Sequence, residues 1–186
     1  MKKFKLTKTK KEYFGTTLFQ IEALISFGNV SKGDLGGWVE KEENLSQEDN
    51  AWVYDNAKVY DNAEVSSNAW VSGNARVSGN AWVYGNARVF GNAKVYDNAE
   101  VYDNAEVYDN AWVYGNARVF GNAEVFGKLK LLAGFFFGIR YKKEDIKFVQ
   151  VNDDYELVYK GEAKFGEENE NLKEIKINGA TYVLKD

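Results

Sequence analysis

Asn50-Ala51-Trp52-Val53-Tyr54-Asp55-Asn56-Ala57-Lys58-Val59-Tyr60-Asp61 opens a run that decides the fold. One six-residue unit, Asn-Ala-x-Val-(Tyr/Phe/Ser)-(Asp/Gly/Ser), repeats thirteen times without insertion and ends at Asn122-Ala123-Glu124-Val125-Phe126-Gly127. An α-helix cannot use this pattern, because six residues advance about 600° at ~3.6 per turn and the valines would spiral around the cylinder. An extended strand can. Ala and Val, two apart, face one side of the pleat, and x and the aromatic face the other. The Asp/Gly and Asn that follow are turn formers that tolerate positive φ. Each hexad is therefore one short strand and one corner, with a small and a β-branched residue turned inward. Stacked Val and Ala ladders then form the core, and the Asn column can hydrogen-bond from coil to coil.

The repeat, residues 50–127, resembles the hexapeptide repeat of the left-handed parallel β-helix, in which three hexads close a triangular coil. The left hand is implied by that resemblance alone. With neighbouring coils ~4.8 Å apart, thirteen hexads predict a little over four coils and a prism about 20 Å long.

A solenoid has open strand edges at both ends, and the flanks look suited to covering them. The expected division is an N-terminal cap over 1–49, the β-helix over 50–127, and a small C-terminal β-rich module over 128–186. In the first segment, Leu18 to Ala23 alternates so that Phe19, Ile21 and Ala23 share a face after a turn at Gly15, and Gly33 to Glu40 supplies a glycine-rich bend into the first coil. A phosphate-binding loop there would need a Gly-Lys-Ser/Thr ending, which is absent. In the last segment, Ile146 to Val151 and Tyr155 to Lys160 read as strands joined at Asn152-Asp153-Asp154. Ile175 to Val183 carries an Asn178-Gly179 hairpin signature. The module reads as antiparallel.

Lys5-Leu6-Thr7, Gly33-Asp34-Leu35-Gly36-Gly37-Trp38 and Asn44-Leu45-Ser46, placed before Asn-Ala-x-Val repeats, are similar to the layout of a group of phage and prophage proteins. The resemblance implies a viral or mobile-element origin and no activity.

Composition narrows the chemistry. The 186 residues are 45% apolar and 16% aromatic, which fits a folded chain, and a net charge of −4 gives no overall attraction to polyanions, so electrostatics must act locally. There is no cysteine, which removes disulfides and thiolate sites and fits a reducing compartment. The basic opening, Met1-Lys2-Lys3, is not followed by the apolar run of a secretion signal, and Leu131 to Ile139 is far short of the ~20 residues that span a bilayer. A location in the cytoplasm of a bacterial host is expected. There is no histidine, so the general base of hexapeptide-class acyltransferases and the zinc ligands of carbonic anhydrases of that architecture, both implied by resemblance, have no counterpart here.

Carboxylates were the remaining catalytic candidates. Glu106 and Glu124 fall on adjacent coils about 5 Å apart, near the separation of a retaining glycosidase pair, but any solenoid produces that spacing and the face offers no cleft. Asp97, Asp103 and Asp109 fall at three different corners and cannot converge on one calcium ion. No catalytic residue, cofactor or metal site is expected.

Every eighteenth residue shares a face. One face carries Trp52, Trp70, Arg88, Glu106 and Glu124; a second carries Lys58, Arg76, Lys94 and Trp112; a third carries Glu64, Trp82, Glu100 and Arg118. Outward aromatics such as Tyr54, Tyr108 and Tyr114 either stack between coils or form an apolar wall that marks an interface. The expected binding residues are Trp52, Trp70, Tyr54, Tyr108, Lys58, Arg76, Lys94 and Trp112. The row Lys58, Arg76, Lys94 could follow a phosphate backbone, with Trp112 and the tyrosines stacking bases. The function expected is a non-enzymatic scaffold that presents aromatic faces to a protein partner or to copies of itself, a trimer by resemblance, with nucleic acid as a weaker partner. Two alternatives stand beside it: a viral inhibitor of a host defence enzyme, acting by occlusion or nucleic-acid mimicry, and a carboxylate-based carbohydrate-active enzyme.

Overall fold

The computed structural model describes residues 1–138 in full and, beyond them, only the backbone of the strands Arg140–Tyr141, Ile146–Val151, Asp154–Tyr159, Glu174–Ile177 and Ala180–Val183. Each x-Val pair of the repeat forms a two-residue strand or lies within a longer one, and each pairs in parallel with the pair one coil on: Trp52↔Trp70, Lys58↔Arg76, Glu64↔Trp82. Three hexads make one turn, and the protein is a parallel β-solenoid with three flat faces. No α-helix occurs among the described residues.

The phase read from the sequence holds throughout. Ala and Val of every hexad are at most 1% exposed and form one continuous core along the axis. The corner residue has positive φ in each turn, from 54° at Asp55 to 70° at Gly85, which explains why the position admits Asp and Gly. Asp adds a bond that Gly cannot. The carboxylate of Asp61 accepts the N–H of Gly79 on the next coil at 3.0 Å, and Asp97, Asp103 and Asp109 accept those of Gly115, Gly121 and Gly127 at 3.1–3.2 Å. Asn side chains form the expected ladders: Asn50→Asn68→Asn86→Asn104→Asn122 is unbroken, with links of 2.9–3.3 Å. Replacing Asp103 by Ala removes the bond to Gly121 and leaves a Cβ residue without compensation at φ 57°, an expected loss of about 1–2 kcal/mol in thermal unfolding. Asp103→Gly, which loses the bond but not the conformational fit, should cost less; an equal cost would assign the whole effect to the hydrogen bond.

Parallel pairing runs past both ends of the repeat. Trp38-Val39 pairs with Lys58-Val59, and Leu45 bridges to Val65. At the other end Lys130-Leu131 pairs with Trp112-Val113, Phe135-Phe136 with Arg118-Val119, and Arg140-Tyr141 with Glu124-Val125. One face is a six-stranded sheet, so the solenoid has about six turns where the hexads alone predict little over four.

The N-terminal segment covers the first turn. β1 (Phe4–Tyr13) and β2 (Thr16–Ala23) form an antiparallel hairpin, β2 pairs with β3 (Leu35–Val39), and β3 hands the chain to the parallel coil. The glycine-rich stretch expected as a bend is thus partly a strand. A Cβ on Gly36 would lie 2.6 Å from Ile21 and 2.7 Å from Trp52, and one on Gly37 2.7 Å from Val53, so the two glycines let β3 press onto the first coil. In β2 the buried residues are Leu18, Ile21 and Ala23, with Phe19 only half-buried. The expected Phe19-Ile21-Ala23 alternation fails because pairing with β3 shifts register between Gln20 and Glu22, and such an irregularity re-aims side chains.

In the C-terminal segment Ile146–Val151 pairs antiparallel with Asp154–Tyr159, and Glu174–Ile177 with Ala180–Val183. The expected turn residues Asn152, Asp153, Asn178 and Gly179, and Lys160, lie outside the described residues.

Candidate anion-binding interface

The repeat delivers one outward x side chain per face per turn, about 4.8 Å from the next. What differs between the faces is charge pairing. On the first, Arg88 meets Glu106 at 3.6 Å, lies 5.4 Å from the Trp70 ring, and Glu124 accepts the Tyr108 hydroxyl at 3.0 Å. On the third, Arg118 pairs with Glu100 at 2.9 Å. The second face carries no acid. Its consecutive rungs are Trp38, Lys58, Arg76, Lys94, Trp112 and Lys130. Among the described residues no carboxylate forms an ion pair with any of its four cations.

Burial first, and repulsion within the row second, lower the ammonium pKa values here. Burial and then Arg76 lower the Lys58 ammonium pKa, and burial followed by Arg76 and Lys130 lowers that of Lys94. Trp112 separates two of the charges: Lys94 Nζ is 3.9 Å and Lys130 Nζ 4.0 Å from its ring centre, one from the turn before and one from the turn after. Such contacts hold cations in place without neutralising them. Lys128 stands at the corner where earlier turns carry Asn. With Asn74, Asn92, Asn110 and the row itself it borders a shallow hollow of about 500 Å³.

The other end of the row is closed. The β1 side chain Tyr13 packs edge-on against Tyr60 at 5.7 Å and lies 5.2 Å from Lys58 Nζ and 5.4 Å from the Arg76 guanidinium. Lys58 donates to the backbone oxygen of Asn56 at 2.7 Å. One rung further, Lys11 Nζ sits 3.7 Å above the Trp38 ring, its pKa pushed down to about 8 by burial and by Lys58.

Several of the expected binding residues have other work. Trp52 is only 1% exposed; it points out of the first coil, but the cap lies over it, with Phe4 at 6.2 Å and Phe27 at 5.4 Å, both edge-on. That corrects its place on an open wall. Tyr54 tilts against Trp70 at 5.6 Å. Tyr108 is stacked between Phe90 at 4.9 Å and Phe126 at 5.2 Å, and Tyr84, Tyr102, Phe120 and Phe137 form a second stack at 4.9–5.4 Å. These rings face one another along the axis and add about 0.5–1.5 kcal/mol per pair to coil stacking. Of the expected set, Arg76, Lys94 and Trp112 border one hollow, with Arg76 at the edge of the Tyr13 ring, and Lys58 continues the row beneath Tyr13. The repeat count missed Lys128 and Lys130 because the hexad ends at Gly127, although they stand eighteen residues after Asn110 and Trp112. Glu106 and Glu124 are register neighbours, as spaced in the sequence.

Among the described residues no helix is long and apolar enough to cross a membrane. Residues 69–85, 81–97 and 111–127 match the family model described as the YdcK beta solenoid repeat. The matches cover less than a third of the chain and fall within the coils that carry the cationic strip. No curated protein matches the chain.

Proposed function

We propose that this β-solenoid repeat protein is a non-enzymatic interaction scaffold, and that its working surface is the face carrying Arg76, Lys94, Trp112 and Lys130. Its partner is a macromolecule that presents a line of negative charge. The observation behind this reading is the contrast between faces built from the same repeat: two bring acids beside their arginines, and one brings only cations. Like charges on adjacent rungs destabilise the free protein, and a bound anion relieves the repulsion. A phage or prophage origin, and with it a partner met inside a bacterial cell, follows from the resemblance of the N-terminal segments.

Retention on a heparin column tests the face. Arg76→Gln, Lys94→Gln and Lys130→Gln together should elute at clearly lower salt than the native chain, whereas Arg88→Gln with Arg118→Gln should elute close to it. Equal losses would mean that net charge, not this face, governs retention. Binding also depends on pH. Lys94 has a depressed pKa when free, and an anion raises it, so binding takes up protons and weakens as pH rises through the depressed value toward the usual 10.5. Affinity constant over that range would remove Lys94 from the site.

Self-association is the second reading. It is favoured by Leu132, Phe135 and Phe137, each more than half exposed on the last described turn. Sedimentation as a concentration-independent monomer would remove it.

A further inference from the structure

We infer that the occupant of the cationic face is a single strand of nucleic acid, held by its sugar-phosphate backbone without regard to base sequence. The inference rests on the reading of this face as the binding surface and names its partner.

Length and width select the ligand. Arg76, Lys94 and Lys130 lie on one line, with Lys128 at the adjoining corner. Three rungs separate Arg76 from Lys130, about 14 Å at ~4.8 Å per rung, and with Lys128 the strip offers four cations, enough to meet about four phosphates of one strand. The strip is one side chain wide. On one side run the amides of Asn74, Asn92 and Asn110, groups that donate to phosphate oxygens, and on the other the uncharged column Ser78, Tyr96, Tyr114. A duplex would carry its second strand across a groove of at least ~6 Å, beyond the reach of a single file of cations. An extended acidic peptide fixes its same-side carboxylates ~6.7 Å apart, longer than the ~4.8 Å rungs, whereas a phosphodiester chain has several rotatable bonds between charges and can shorten to match them.

The aromatic groups set the mode. Base stacking at Trp112 and the tyrosines was the sequence expectation, but Lys94 and Lys130 occupy the Trp112 ring, and Tyr96 and Tyr114 stack on each other at 4.9 Å. These contacts take both faces of Trp112 and one face each of Tyr96 and Tyr114. Recognition therefore runs through phosphates, and the Trp112 ring stands between its two ammonium groups.

Fluorescence anisotropy with the full chain tests this, using labelled oligothymidylate of about eight nucleotides, twice the footprint. An abasic phosphodiester oligomer, the same strand in a duplex and an oligoglutamate of similar length serve as the other probes. Oligothymidylate and abasic oligomer should bind alike, and more tightly than the duplex. For four phosphates the logarithm of the binding constant should fall with that of salt at a slope of about −3, each phosphate of a single strand contributing ~0.7. Lys94→Gln with Lys130→Gln should reduce the slope by about 1.4, and Arg88→Gln with Arg118→Gln should leave it unchanged. All four sites are outward on the solenoid, and circular dichroism confirms that each variant is folded. Thymidylate bound more than tenfold tighter than the abasic oligomer would overturn the backbone mode, and duplex bound better than strand would overturn the single-strand assignment. Oligoglutamate bound in place of both phosphate chains would overturn the nucleic-acid partner and keep the face. No binding of any anion, with heparin retention also absent, would overturn the face itself.

Discussion

Val89→Asp is expected to abolish folding. Val89 lies in the middle of the solenoid with no exposure, in register between Val71 and Val107. A carboxylate there would replace a methyl pair in a ladder whose walls are only Val and Ala, with no donor turned inward to meet it. The penalty for an unpaired buried charge exceeds the ~4–5 kcal/mol that marks the severe end of point mutations. In a linear repeat each turn is held by its two neighbours, so a defect in a middle turn uncouples the halves. The expected observation is insoluble protein, or soluble protein without a cooperative thermal transition. Arg88→Gln, one residue away but outward, should stay within about 1 kcal/mol of the native chain because its ion pair with Glu106 is exposed. A Val89→Asp protein that melts like the native one would overturn the inward phase.

That a one-residue step separates the two outcomes is why the coil was legible in the sequence. A period of six with Ala and Val two apart fixes inside and outside, and a period of eighteen fixes which side chains share a face. Both are local relations that the chain repeats. What sequence reading missed depends on contacts between distant segments. Nothing near Trp52 shows that Phe4, Phe27 and Gly36 will lie over it, and nothing near Lys58 shows that Tyr13 will. Phe19 was misplaced because a register irregularity cancels simple alternation. Lys128 and Lys130 could have been found by carrying the six-residue phase one unit past Gly127, since the core positions continue as Leu129 and Leu131. The stacking of Tyr108 was open to anticipation as one of two uses for an outward aromatic column. Only geometry shows that its ring faces are already used.

Another long-range contact missed from sequence carries the second large effect. Lys3, read there as part of a basic opening, is 2% exposed, and its Nζ donates to the backbone oxygens of Glu48 at 2.9 Å, Ala51 at 3.0 Å and, more weakly, Asp49 at 3.4 Å. It pins the start of β1 to the corner that begins the first hexad, on the side where the ladder has no earlier coil to pair with. Lys3→Met keeps the apolar stem and orphans those carbonyls, for an expected loss of about 2–4 kcal/mol at neutral pH, since a bond from a charged donor is worth ~1.5–3 kcal/mol. A denaturant titration measures it. The pH dependence tests the protonation state as well. Burial pushes the Lys3 pKa down to about 8, with Asp49 pulling it back, against 10.5 in the unfolded chain. Between those values the unfolded chain binds more protons than the native one, so native stability gains as pH rises. The Met variant lacks that gain, and the gap between the two proteins should widen from pH 8 to 10.5. A gap that narrows instead would mean that the carbonyls outweigh burial and hold Lys3 as an ammonium ion.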